Sequence, residues 1–254
     1  MAAARVENRI ARCAHAQAAT TRAIGTPLSS KIDGGAMKII SFGDIHMATR
    51  NLDRMGAVMR DCDLVILSGD LTNFGGPDEM RKVLDDVRGV CPNILALPGN
   101  LDRRETIPYL EEQGIALHGK GRIVDGIGIF GCGGSNFTPF NTPTELTEDE
   151  IYATLRAAYE QVRGTRPLLM ICHPPPIETK CDRILSGKPV GSSAARRFIE
   201  EVKPEICISG HIHESAGEDT IGPTRIFNAG PFKGGGYIIV TGGESGLSAR
   251  LEFL

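Results

Sequence analysis

From residue 37 to the C-terminus the chain alternates between two patterns. Apolar runs of four or five residues recur at 38–42 (KIISF), 64–67 (LVIL) and 93–97 (NILAL). Between them, near 51–60, 78–88 and 103–113, apolar positions return every third or fourth residue. Nearly continuous runs of that length read as buried strands, and the wider spacing as one face of a helix. Pro108 falls inside the third helical stretch and leaves its middle unsettled, because proline has no N–H to donate. Strand and helix in alternation predict a parallel sheet covered by helices.

After residue 120 the pattern changes. Runs at 122–124 and 127–131 flank Asp125-Gly126, a tight-turn pair, and predict a hairpin. A Gly- and Pro-rich loop follows, GCGGSNFTPFNTPTE, and then a helix from about Thr147, which forms a capping box with Glu150 three residues on. Residues 168–172 are another buried strand, stopped by the prolines after His173. Residues 192–202 read as a helix, 205–209 as a strand, and the last forty residues as short strands with Gly turns. No repeat or long linker divides residues 37–254, which are expected to form one domain.

Composition narrows the class. The chain has 254 residues, 41% of them hydrophobic, enough to build a core without disulfides or metal staples. No apolar run approaches the roughly eighteen residues of a membrane helix, so no membrane partner is expected. The formal net charge is −3 with no block of Lys and Arg, which argues against nucleic acid as a stable partner. The seven cysteines form no Cys-x-x-Cys pair, and three lie in or beside apolar runs as small hydrophobes do, a usage that predicts a cytoplasmic protein. Residues 1–36 stand apart: rich in Ala, Arg, Thr and Ser, with five basic residues against two acidic, and without the apolar region of a secretory signal. They are expected to be a disordered extension or a misassigned start ahead of Met37, rather than a transit peptide.

The chemistry sits where the apolar runs end. Asp44-Ile45-His46, Gly69-Asp70, Gly99-Asn100, Cys172-His173 and Gly210-His211-Ile212-His213 each follow a strand, and in open α/β sheets ligands bind at the carboxyl ends of strands. Singly, a buried His or Asp is usually a satisfied structural residue and Gly-Asp or Gly-Asn a turn. Five such blocks together are another matter, since clustered carboxylates and imidazoles are costly to desolvate unless a cation compensates them. Hard divalent ions take carboxylate and amide oxygens and borderline ones take imidazole as well, so the set suits a pair of ions.

In order and spacing these blocks resemble the calcineurin-like metallophosphoesterase superfamily, over essentially all of residues 38–254. The resemblance implies a four-layer α/β/β/α sandwich, two mixed sheets flanked by helices, with two divalent metal ions at the strand ends. It implies that Asp44, His46 and His213 hold one ion, that Asn100, His173 and His211 hold the other, and that Asp70 bridges them. Asp70, Asn100 and His173 are the expected catalytic residues. The implied activity is hydrolysis of a phosphate-ester substrate by metal-activated water, as a phosphodiesterase or a phosphatase. Mn²⁺ is the expected ion, and Fe, Zn²⁺ and Ni²⁺ suit the same donors. One position departs from the family: many members carry a His directly after the metal-binding Asn, where this chain has Leu101. Leu cannot protonate a leaving group, so aryl esters, anhydrides and particular diesters are expected to be preferred over alkyl monoesters. Some prokaryotic members with a Gly-Asn-Cys-Asp sequence are similar here.

Further residues carry weaker expectations. His118 is expected either to replace the missing acid or to be an ordinary turn His. Asn136, in Gly133-Gly134-Ser135-Asn136, is a candidate substrate contact in a loop that offers backbone N–H groups. Asp102 and Glu214 are candidates for orienting ligand imidazoles. Lys180, Arg183 and Lys188 recruit an anionic substrate or are solvated loop charges. A non-catalytic scaffold of the same fold, like the retromer subunit, is the alternative function, disfavoured because all seven ligand positions are intact. A recombination-repair type of nuclease would need capping and DNA-binding regions for which the chain has no room.

Overall fold

The computed structural model describes residues 36–254. The extension expected over residues 1–36 lies, but for Ala36, outside them. Strands β1 (Met37–Phe42), β2 (Leu64–Leu67) and β3 (Ile94–Ala96) run parallel, each followed by a helix: α1 (Leu52–Met59), α2 (Pro77–Arg88) and α3 (Thr106–Glu112). The third helix is shorter than its apolar spacing suggested, and Pro108 is its third residue, where a missing N–H costs no helical hydrogen bond. Then come the hairpin β4 (Gly121–Val124) and β5 (Ile127–Cys132), helix α4 (Glu148–Glu160), β6 (Leu168–Cys172), α5 (Ser193–Val202) and β7 (Ile206–Ser209). β8 (Gly217–Ile221), β9 (Thr224–Asn228), β10 (Gly236–Gly243) and β11 (Gly246–Phe253) complete the chain. The last two are eight residues each, longer than the short strands expected there.

Two mixed sheets result. The first has the order β11-β10-β1-β2-β3, with β10 antiparallel to β1, so the C-terminal hairpin extends the sheet begun by the first strand. The second has the order β4-β5-β6-β7-β9-β8, parallel in its middle and antiparallel at both edges.

Three apolar clusters separate four layers. Within β1 and β2 successive residues point to opposite faces. Ile39, Leu64 and Ile66 pack with Ile129, Ile171 and Ile208 of the second sheet, while Ile40, Phe42, Val65 and Leu67 pack with Met55, Met80 and Leu84 of the helices. On the far side Phe130, Met170 and Cys207 meet Ile151 and Leu155 of α4 and Phe198 of α5. Both faces of the central strands are therefore buried, which is why they read as unbroken apolar runs. The fold is the expected α/β/β/α sandwich. The capping box also forms: Glu150 N donates to Thr147 Oγ1 at 3.2 Å and Thr147 N to Glu150 Oε2 at 2.8 Å. Six described cysteines are free thiols, and no helix among the described residues is long and apolar enough to cross a membrane.

Candidate metal centre

The loops after β1, β2 and β3 of the first sheet and after β6 and β7 of the second meet at one end of the sandwich, and all seven expected ligands lie in them. Asp44 is held by its N–H on Gly69 O at 2.8 Å, and His46 by its N–H on Asp70 O at 3.0 Å, so the first two blocks are laced together through the backbone. His46 Nε2 faces His213 Nε2 at 3.1 Å, and His213 Nε2 lies 3.3 Å from Asp44 Oδ1. His173 Nε2 lies 3.2 Å from Asn100 Oδ1 and 3.6 Å from Asp70 Oδ1, and its ring centre is 5.4 Å from that of His211. In each of two triads, Asp44, His46 and His213, and Asp44, Asp70 and His173, the candidate ligand atoms lie within 4.8 Å of one another.

Backbone conformation at the site is unusual. Asp44, His46 and Asp70 have φ of 49°, and His211 has φ of 70°, all in the left-handed region. Non-glycine residues held there are strained by about 1 kcal/mol or more, and such strain persists where the surroundings over-determine it. The glycines of the blocks make room for each other's side chains. A Cβ on Gly99 would run into the Asp70 carboxylate, and one on Gly69, itself at φ of 108°, into the His173 ring.

The donor set fits divalent cations. It comprises four imidazoles, two carboxylates and one amide oxygen, with no thiolate. Second contacts leave the right atoms facing inward. The Ser68 carbonyl accepts from His173 Nδ1 at 2.8 Å, which makes Nε2 the ring atom that can give up its proton to a cation, and Asn100 Nδ2 donates to Thr142 Oγ1 at 3.0 Å, which turns Oδ1 toward the cluster. The two facing Nε2 atoms of His46 and His213 require a shared proton or a shared cation.

Electrostatics agree. Burial lowers the basicity of His173, but the Asp70 carboxylate beside it, with Asp44 behind, more than reverses this and brings its pKa to about 9. Burial raises the Asp70 carboxyl, and the His173 charge outweighs it, so Asp70 lies below its ordinary value. Burial and the neighbouring His173 charge push His211 down to about 4. The hydrogen bond to Asp44 raises His213. Without a metal, a proton on His173 is thus the positive charge that buried Asp70 calls for.

The sequence model of the calcineurin-like phosphoesterases matches residues 37–215, the stretch that carries all five blocks. The chain belongs to the calcineurin-like phosphoesterase family. An uncharacterized protein of Methanocaldococcus jannaschii is 34% identical over 203 residues, covering 77% of this chain and 88% of its own. Among solved structures, a Thermus thermophilus protein matches with a TM-score of 0.63 at 14% identity, over 85% of this chain and 98% of its own. The phosphopantetheinyl hydrolase of Mycobacterium tuberculosis matches with a TM-score of 0.54 at 17% identity, over 78% and 90%. At such identities the structures share the fold. This calcineurin-like member therefore has divalent-metal chemistry as its family trait, and its Asp and His clusters are able to bind such ions.

The remaining candidates fall in different places. Asp102 serves the backbone instead of an imidazole. Its buried carboxylate accepts from Leu71 N, Thr72 N, Thr72 Oγ1 and Gly99 N at 2.7–3.1 Å, pinning the loops of Asp70 and Asn100 together. Burial, with the Asp70 charge adding, raises its pKa to about 6. Glu214 accepts from Leu185 N at 3.3 Å, tying down the loop after β6. His118 accepts from Gly133 N at 3.0 Å through Nδ1 and does not line the cleft over the cluster. Asn136 and Lys188 do line it; Lys180 and Arg183 do not. Sequence reasoning missed Thr142, which accepts from Asn100 and donates to Glu145 Oε1 at 2.8 Å. Its position, forty-two residues from Asn100, gives no local signal.

Proposed function

We propose that the chain is a dinuclear metal-dependent phosphoesterase. Asp44, His46 and His213 would hold one ion, Asn100, His173 and His211 the second, with Asp70 between them and Mn²⁺ as the ion at both positions. The convergence of seven oxygen and nitrogen donors from the strand ends of both sheets carries this reading. Bound there, the ions supply Lewis acidity toward phosphoryl oxygens and acidify water. The chain's own residues fix the rest. Leu101 N donates to Asp70 Oδ1 at 2.8 Å, holding the carboxylate in one orientation, and Leu101 lines the cleft. No proton donor stands at that place. Asp102 is occupied by backbone donors and His118 lies off the cleft, so neither replaces it. With no proton supplied from the Leu101 position, aryl esters, anhydrides and diesters with good leaving groups are favoured. The chain is proposed to work in the cytoplasm.

The test is hydrolysis of p-nitrophenyl phosphate, bis-p-nitrophenyl phosphate and alkyl monoesters by protein stripped and reloaded with Mn²⁺. We expect metal-dependent turnover of the nitrophenyl esters, its loss in Asp70→Asn, and a gain for alkyl monoesters in Leu101→His. Tight binding of two ions with no turnover on any ester would replace this reading with that of a scaffold.

A further inference from the structure

Seven large apolar side chains are exposed in the described part of the chain, and four of them, Phe74, Phe137, Phe140 and Leu185, line the cleft over the metal centre. Phe140 is 81% exposed and Leu185 92%, values that no requirement of the core explains. The cleft holds about 1000 Å³, at the upper end of what small-molecule sites enclose. Its walls come from three loops, one between β2 and α2 that carries Phe74, one between β5 and α4 that carries Phe137 and Phe140, and one between β6 and α5 that carries Leu185. Asn136 Nδ2 bonds the second to the third through Val190 O at 3.1 Å, and Leu185 N is bonded to Glu214 at 3.3 Å. Exposed apolar groups gathered in one place mark an interaction site, and here they share one cleft with His46, Asp70, Asn100, His211 and His213.

We propose that the substrate is an amphiphilic phosphate ester, a single molecule with its phosphate at the metal centre and an extended apolar ester group against Phe74, Phe137, Phe140 and Leu185. The proposal rests on the reading of the metal centre as a phosphate site. The two ends of the cleft differ in the way such a molecule does: imidazoles and carboxylates at the floor, with Lys188 in the lining, and aromatic and aliphatic surface on the walls. The apolar Leu101 at the floor fits an ester group that needs no polar partner.

The probes are butylphosphonic and octylphosphonic acid, which no phosphoesterase cleaves at the P–C bond, titrated calorimetrically into the Mn²⁺-loaded full chain below the micelle concentration. Four additional methylenes, each worth up to about fourfold when fully buried, should make the octyl compound bind on the order of tenfold tighter if the chain is half covered. The double variant Phe140→Ser/Leu185→Ser should bring the octyl compound close to the butyl value. Ile123→Ser, at an exposed apolar residue outside the cleft, should keep the difference. Equal binding of both phosphonates by the parent chain, or a chain-length effect that survives the double variant, overturns the proposal. So does a dimer in sedimentation that the double variant dissociates while the parent shows no chain-length effect, which would make the wall a contact between copies. Hydrolysis of p-nitrophenyl phosphate, measured alongside, separates the two readings. Turnover without chain-length dependence removes only the apolar wall, and chain-length-dependent binding without turnover removes only the hydrolytic role.

Discussion

At the residue scale, the charges of the centre depend on each other. The metal-free fold keeps a proton on His173 up to about pH 9, against an ordinary value of 6.5. A raised imidazole pKa stabilises the fold fully below 6.5, and that contribution fades as pH climbs toward 9. The melting temperature of the stripped protein should therefore fall over this interval, and His173→Gln should lose that part of the slope. An ion bound to His173 as proposed must displace the same proton, so metal affinity should rise with pH by about tenfold per unit between roughly 7 and 9, measurable by titration in a pH series. Asp102 shows what adjacency cannot reveal. Its place two residues after Asn100 suggested a partner for an imidazole, but a carboxylate beside a ligand is equally able to serve the backbone, and only the packing of the loops decides. Asp102→Asn puts an amide donor against the backbone donors it served. It should cost about 1–3 kcal/mol in denaturant unfolding and weaken metal binding as well.

At the scale of elements, the strands were legible because both of their faces are buried. LVIL at 64–67 and the run at 168–172 match β2 and β6 residue for residue. Thr147 and Glu150 announced the start of α4, since a cap is a contact between residues three apart. Thr147→Ala should lower stability by about 1 kcal/mol, visible as a lower melting temperature, with no change in bound metal. The loop between β5 and α4 was legible only as a loop. Its Thr142 reaches back across forty-two residues to hold the Asn100 amide, and its Phe137 and Phe140 are apolar residues with no helical or strand period to betray a purpose. Thr142→Val should leave the fold intact and reduce metal affinity about 10- to 100-fold in competition with a chelator.

At the scale of the molecule, the alternation of strand and helix was enough to infer a covered parallel sheet, but not that β10 would return to lie antiparallel along β1. Such a pairing joins the two ends of the described chain and leaves no trace in local pattern. The sandwich as a whole was legible through the order of the five blocks, which point to a family, rather than through the periodicity. The three apolar clusters that form the layers contain none of the seven proposed ligands. The first of the proposed ligands, Asp44, follows the first strand, and the last, His213, follows the seventh. All seven donors are therefore made before β8 to β11, yet β1, which leads into Asp44, gains its neighbour β10 only with residues 236–243, so the cluster is fixed in place only when the last strands dock. Ion uptake would then come near the end of maturation, as a seal on an assembled protein instead of a seed for its assembly, and a cell short of the metal would accumulate folded, idle molecules awaiting a charge.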